Sequence, residues 1–221
     1  MFNDAFNKPL YSGYMHGNPD GTTLDEVNAN TNDSIMKTYL ENWYSKNLSE
    51  YSKFIADSGF CNDRSLASYS WNGDGIHTNT STYYATHERY TTSYNPTLIC
   101  PEAQRDLYTL NNNSKGNRSL TYPIGLITVD ELMLAGIANN YMNRLFYAYS
   151  NISYWTMSPS YFYERINNVA MYQFTSNEAS ANLNGGLTYL TLVRPVINLN
   201  SNVEITGGIG TKNEPFIVKT I

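Results

Sequence analysis

The chain has only two cysteines, Cys61 and Cys100, and they bracket its least periodic part. Residues 65–118 are mostly Ser, Thr, Asn, Tyr and Gly, with neither a helical nor a strand period. An irregular stretch of that length inside a domain usually means functional loops or loops held by a covalent staple. An even cysteine count in a lysine-poor, Tyr- and Asn-rich chain fits an oxidising compartment and one disulfide. Two buried free thiols are the other reading. A bridge would close a loop of about 40 residues, and on the chain-entropy view it stabilises by about 4 kcal/mol. A catalytic cysteine is disfavoured, because only His16, His77 and His87 are available and none forms a Cys-His signature.

Composition narrows the class further. The 221 residues include 14 basic and 19 acidic side chains, for a net charge of −5. That length suits one domain with a substantial core. Mild acidity argues against nucleic acid or an anionic membrane surface as partner. No apolar run reaches membrane-spanning length, so no direct membrane contact is expected. Charged residues make up 15%, while Tyr numbers 20 and Asn 29. Such a surface resembles exported bacterial proteins and the binding loops of antibodies. The opening Met1-Phe2-Asn3-Asp4 has neither the basic nor the apolar part of an export signal. An extracellular or cell-surface domain is therefore expected, with its targeting segment outside this sequence.

Residues 1–30 read as an irregular segment rich in turn formers, and residues 31–221 as one domain. Residues 32–48 are the clearest helix, with Ile35, Met36, Tyr39, Leu40, Trp43 and Tyr44 at helical spacing. A second short helix is expected from Ser49 to about Asp57, ended by Gly59. Residues 121–127 read as a strand. Thr128 and Glu131 fit a capping box, followed by a helix to Ala138. Strands are expected at 152–158, 169–174 and 193–199, and a closing hairpin at 203–206 and 215–218. Helices early and short strands late indicate an α+β fold.

Motifs for chemistry are sparse. There is no G-x-S-x-G, H-E-x-x-H, Walker A or C-x-x-C pattern, and a non-enzymatic role is expected. His87-Glu88-Arg89 reads as acid/base machinery or as a structural ion pair. Asn62-Asp63-Arg64 reads as a ligand contact or as a structural pair beside the disulfide. Trp71-Asn72-Gly73-Asp74-Gly75 reads as a calcium loop or as a tight turn; no other cofactor is suggested. The richest recognition chemistry lies between residues 158 and 189. Tyr161, Tyr163, Arg165, Asn167, Asn168, Tyr172, Ser176, Asn177, Glu178, Asn182 and Asn184 form the candidate ligand-binding set. Tyr gives contact area at low entropic cost, and Asn and Ser give adaptable hydrogen bonds. A solvated β-meander with polar turns explains the same run.

Four segments carry a resemblance. They are Phe60-Cys61-Asn62-Asp63-Arg64, residues 122–131, Tyr154-Trp155-Thr156-Met157-Ser158-Pro159 and Val193-Arg194-Pro195-Val196-Ile197-Asn198-Leu199. With the closing residues 207–216, they resemble exported proteins of gut Firmicutes that often carry a prepilin-type N-terminal helix. The Trp-x-x-Ser-Pro segment, the run after it and the Val-Arg-Pro strand look like the C-type-lectin-like fold. That resemblance extends to the variable proteins of diversity-generating retroelements. It implies short N-terminal helices, a small twisted antiparallel sheet and long irregular loops. It implies Trp155 as core and Arg194 as a bridge to buried carbonyls or a carboxylate. It also implies an adhesin- or receptor-type domain that binds a protein or glycan on another cell or host surface. A pilin-like structural head, associated with a pilus or surface filament, is the alternative. An enzyme on a lectin-like scaffold is the third reading. The enzyme branch of that fold needs a cysteine pair near the C-terminal end, and no cysteine follows Cys100.

Overall fold

The computed structural model describes residues 13–18, 23–69, 81–139, 141, 143–150, 152–163, 168–175, 180–184, 192–211 and 213–220. The architecture is α+β, with short helices around small antiparallel sheets. The chain opens with β1 (Met15–His16), α1 (Leu24–Asn28) and β2 (Asn32–Asp33), and β1 pairs with β2. Sequence reading gave residues 1–30 no element and put Asn32 and Asp33 at the start of the helix expected over 32–48, where the structure has β2. Helix α1 escaped because it has only five residues, although Thr23 and Glu26 cap it reciprocally.

The expected first helix is α2 (Ile35–Asn47), capped by Ser34, whose hydroxyl accepts from the Lys37 N–H at 3.0 Å. It buries Met36, Leu40 and Tyr44. The expected second helix is a 3₁₀ turn, Ser49–Phe54, that gives way to β3 (Ile55–Ala56) and β4 (Phe60–Cys61). The β-branched Ile55 and the two buried apolar residues Ile55 and Phe60 favour extended backbone over another helical turn.

The stretch expected to be irregular contains several short elements. These are β5 (Ser81–Tyr83), α3 (Ala85–Glu88), a π-helical turn at Arg89–Ser93, α4 (Ala103–Asp106) and β6 (Leu107–Tyr108). Each is shorter than the window in which periodicity becomes visible. Residues 121–127 are not a strand. Only Gly125 makes a ladder contact, with Val196. A side chain at Gly125 would lie 2.4 Å from the Phe60 ring, so close backbone approach is what this glycine provides. Helix α5 (Val129–Leu134) begins directly after the Thr128–Glu131 capping box and stops before Ala138. Gly136, at φ 109°, turns the backbone out of the helix.

The central strand is β7 (Tyr154–Tyr163), longer than expected and running through Pro159. It pairs with β5 on one side and with β8 (Asn168–Thr175) on the other; β9 (Ser180–Asn184) completes a four-stranded antiparallel sheet in the order β5-β7-β8-β9. Residues 154–160 are all buried. Segment 193–199 is mostly not strand. Pro195 interrupts it, Val196 bridges to Gly125, and only β10 (Asn198–Leu199) pairs, with β3. The closing hairpin forms as expected from β11 (Val203–Gly207) and β12 (Ile217–Thr220).

One buried cluster unites Tyr14, Leu24, Val27, Met36, Leu40 and Tyr44 with Phe60, Tyr108, Trp155, Met157 and Phe162. A second joins Tyr90, Val129, Leu132, Ile137, Phe146 and Tyr154. Tyrosine supplies much of this interior. Burying its ring is favourable when the hydroxyl finds a partner. Tyr14 donates to the Ile124 carbonyl, Tyr154 to that of Ala148 at 3.0 Å, Tyr84 to Asn28 Oδ1 at 3.1 Å and Tyr108 to Asn30 Oδ1 at 2.9 Å. Arg194 also donates to the Ala148 carbonyl, at 2.8 Å, and lies 5.1 Å from the centre of the Tyr154 ring.

Cys61 and Cys100 form a disulfide with Cα atoms 5.8 Å apart. Beside it, Arg64 and Asp106 form an ion pair that is almost wholly buried. Arg64 Nε donates to Asp106 Oδ1 at 2.8 Å and its backbone N–H to Oδ2 at 2.9 Å. Arg105 adds two further bonds to the same carboxylate. Removing one partner of such a pair strands a buried charge. Asp106→Ala is therefore expected to cost about 3–5 kcal/mol in urea unfolding. Trp155→Ala, which opens a cavity in the first cluster, is expected to cost about 3–5 kcal/mol as well. A loss below about 1 kcal/mol in either variant would refute the role given to that residue.

Candidate functional site

Two surfaces are candidates for a functional site. The first is the sheet face that the sequence singled out. Strand register decides which of its residues share a side. Tyr161 pairs with Ala170 and Tyr163 with Asn168. Strand alternation then puts positions 161, 163, 168 and 172 on one face. Asn182 pairs with Gln173 and Asn184 with Met171, which places both on the opposite face, with Phe162 and Trp155. The irregularity between Pro159 and Tyr161 brings this about. It shifts the register of β7 by one residue and sends Tyr161 to the face away from Pro159. Arg165, Asn167, Ser176, Asn177 and Glu178 lie outside the described residues, as do the segment Trp71–Gly75, read as a calcium loop or a tight turn, and His77.

An aromatic group edges this face. The Tyr83 ring is 6.0 Å from Tyr161, nearly perpendicular, and 5.6 Å from Tyr69. His87 stacks on Tyr83 at 4.0 Å, and its Nδ1 lies 3.0 Å from Ser160 Oγ. Burial pushes the His87 pKa down to about 4. Glu88 accepts from the Ser68 hydroxyl at 2.5 Å and from its N–H at 2.7 Å, and these bonds hold its carboxyl below the usual range. Of the charged triplet 87–89, therefore, His87 packs, Glu88 fastens a loop, and Arg89 goes elsewhere.

The second surface is a cleft of about 300 Å³ between the disulfide and α5. Phe60, Leu107 and Leu126 supply apolar lining; Asp63, Arg89, Asp130 and Glu131 supply charge; Leu98 and Ile99 form a lip. Arg89 opens the π-helical turn, a rare geometry that concentrates at functional sites. Its Nε donates to Asp130 Oδ1 at 2.6 Å, and its Nη2 to Asp63 Oδ2 at 2.8 Å and Asp130 Oδ2 at 2.9 Å. Burial works against the Arg89 charge, but the two carboxylates outweigh it and raise its pKa. The lip is held by the Cys100 disulfide and by the Thr97 N–H donating to Asp130 Oδ1 at 3.0 Å. Sequence reading placed Asp63 and Arg89 in two local triplets, the first read as a ligand contact or a structural pair and the second as acid/base machinery or a structural ion pair. In the structure Asp63 pairs with Arg89 and Arg64 with Asp106, 26 and 42 residues apart. The available signal was Leu98-Ile99, an apolar pair set against Cys100 in an otherwise polar loop.

Among the described residues, no group of three or more His, Cys, Asp or Glu side chains is arranged to hold a metal ion. No helix among them is long and apolar enough to cross a membrane. Searches against protein-family models, curated proteins and solved structures give no match for this chain.

His87 generates a pH prediction. Its folded pKa, about 4, lies below the unfolded value of about 6.5. Between those values the unfolded chain takes up a proton that the folded chain excludes. Stability is thus expected to fall as pH drops from 6.5 to 4, by at most about 3 kcal/mol from this group, and to level off below. Urea unfolding of the wild type and of His87→Gln at pH 7 and 4.5 checks this. The wild type should lose more than the variant, and equal losses would remove His87 as the cause.

Proposed function

We propose that this chain is a non-enzymatic, adhesin- or receptor-type ligand-binding domain displayed outside a bacterial cell. The observation that carries this reading is the register of the four-stranded sheet. It gathers Tyr161, Tyr163, Asn168 and Tyr172 on one face, with the Tyr69–Tyr83 aromatic group at its edge. Rigid aromatic area flanked by amide groups is the chemistry of adaptable protein and glycan recognition. The Cys61–Cys100 disulfide fits an oxidising exterior. A C-type-lectin-like fold accommodates the small antiparallel sheet, the flanking short helices and the long loops. In this reading residues 160–189 are the diversified segment of a retroelement variable protein.

A second reading, the head of a pilin-like subunit, has its own support. The closing hairpin is a two-stranded sheet whose Ile205, Ile209, Phe216 and Ile217 are exposed, as suits packing against another subunit.

The decisive experiment is a binding screen against glycans, mucin and bacterial surface extracts, with and without calcium. A variant with Tyr161, Tyr163, Arg165 and Tyr172 changed to Ala runs in parallel. Saturable wild-type binding is expected, lost in the variant while its melting temperature falls by no more than a few degrees. Binding that survives in the variant would remove the sheet face as the site. Absence of any binding, together with concentration-dependent self-association, would favour the subunit reading.

A further inference from the structure

We propose that the cleft between the disulfide and α5 is a second binding site, separate from the sheet face, for an uncharged aliphatic amide: a leucine-sized side chain carried on a peptide unit. Its apolar part is set by Phe60, Leu107 and Leu126, with Leu98 and Ile99 at the mouth, 73% and 76% exposed. Two such side chains in one short segment leave apolar surface that an aliphatic group entering the cleft would cover.

The polar part is set by donors that lack acceptors. Ser158 lines the cleft and is 2% exposed. Its oxygen accepts from the Val129 N–H at 2.9 Å, and among the described residues its hydrogen goes to no acceptor. Arg89 commits Nε and Nη2 to Asp63, Asp130 and Thr86, while Nη1 donates to none of the described groups. Both groups can therefore donate to a ligand oxygen that enters the cleft. The cleft therefore asks for an oxygen acceptor joined to an apolar body.

Charge fixes the remaining property. Asp63, Asp130 and Glu131 outnumber Arg89, so an anionic ligand is repelled. A cation is drawn by the same excess but finds few carboxylate oxygens left to pair with. Asp130 is taken by Arg89 and the Thr97 N–H, Asp63 by Arg89 and Ser65, and Glu131 Oε2 by Thr128. A carbonyl on a neutral amide meets both limits. The volume, about 300 Å³, is at the lower end for ligand sites and suits a single such unit.

Three probes with one body test the idea by protein-observed NMR titration at about pH 6: N-acetyl-leucinamide, neutral; N-acetyl-leucine, anionic; and leucinamide, cationic. The neutral amide is expected to saturate in the millimolar range and to bind at least about tenfold more tightly than either charged probe. Leu98→Ser combined with Ile99→Ser alters only exposed side chains and should weaken the amide about tenfold with melting unchanged. Ser158→Ala should also weaken it; should that variant fail to fold, the lip variant decides alone. Leucinamide binding as tightly as the neutral amide would overturn the ligand class. No saturation by any probe, or amide affinity unchanged in the lip variant, would overturn the site.

Discussion

The buried carboxylate of Asp106 is the constraint around which the first half of the molecule is arranged. It is fully buried and accepts from Arg64 through backbone and guanidinium, and from Arg105. Arg64 in turn donates from Nη1 to the Asn28 carbonyl at 2.8 Å and from Nη2 to Asn30 Oδ1 at 2.8 Å. One ion pair thus joins the end of α1, the β4–β6 ladder and α4. A buried pair of this kind contributes little net stability over an apolar replacement. Its effect here is geometric. These bonds hold residues 28–30, 62–64 and 105–108 against one another, and that placement sets the Cys61 end of the disulfide.

The interior absorbs much of a small charge complement. Lys37, Asp63, Arg64, Asp106 and Asp130 are all buried. Lys37 lies between Asp33 and Glu41, at 2.8 and 3.2 Å, and Arg89 joins Asp63 to Asp130. With these five charged side chains inside, among the described residues, and charged residues only 15% of the chain, the surface depends on Asn, Ser, Thr and Tyr for its polarity. Such groups are weakly hydrated compared with Lys or Glu and keep fewer rotamers, so less is lost when they meet a ligand. The tyrosine-rich interior and the amide-rich exterior follow from one compositional choice. Phenol rings fill the core, and backbone carbonyls or amides accept the hydroxyls of Tyr14, Tyr84, Tyr108 and Tyr154, while uncharged polar groups replace salt at the rim.

What the sequence disclosed depended on element length. Helix α2, the Thr128–Glu131 cap, β8 and the closing hairpin each carry a period or cap signal several residues long, and all were legible. Helix α1, the β4–β6 ladder and β5 are five residues or fewer. They exist because tertiary partners reward them: Tyr83 by pairing with Tyr161, and Phe60 by packing on Gly125. Residues 121–127 mislead in the other direction. They are apolar and β-branched, yet Pro123 lacks a ladder donor and the Gly125 backbone is pressed against Phe60. For the candidate sites, residue type pointed to the sheet face, but only register could place Asn182 and Asn184 on its far side. The cleft draws on segments from Ser58 to Asn198, and its Asp63–Arg89–Asp130 geometry arises from long-range pairing that no local motif encodes.

Both surfaces meet on β7, and this settles how they can relate. Ser158 faces the cleft and accepts from the first N–H of α5, while Tyr161 belongs to the sheet face. Between them the register shift breaks the strand alternation, so that positions 158 and 161 fall on the same side of β7, and Ser160 holds His87 and accepts from Tyr84 through its carbonyl. Strand β7 is buried through residues 154–160 and bonded on both edges, so it resists bending far better than a loop would. A ligand at one surface therefore meets the other at a fixed distance and orientation. An extended partner could engage both with little ordering cost in this domain, because the scaffold between the two sites is already ordered. The 97–99 lip is tied to the scaffold by the disulfide at Cys100 and by the Thr97 N–H bond to Asp130, and it presents the exposed Leu98 and Ile99 above the strand.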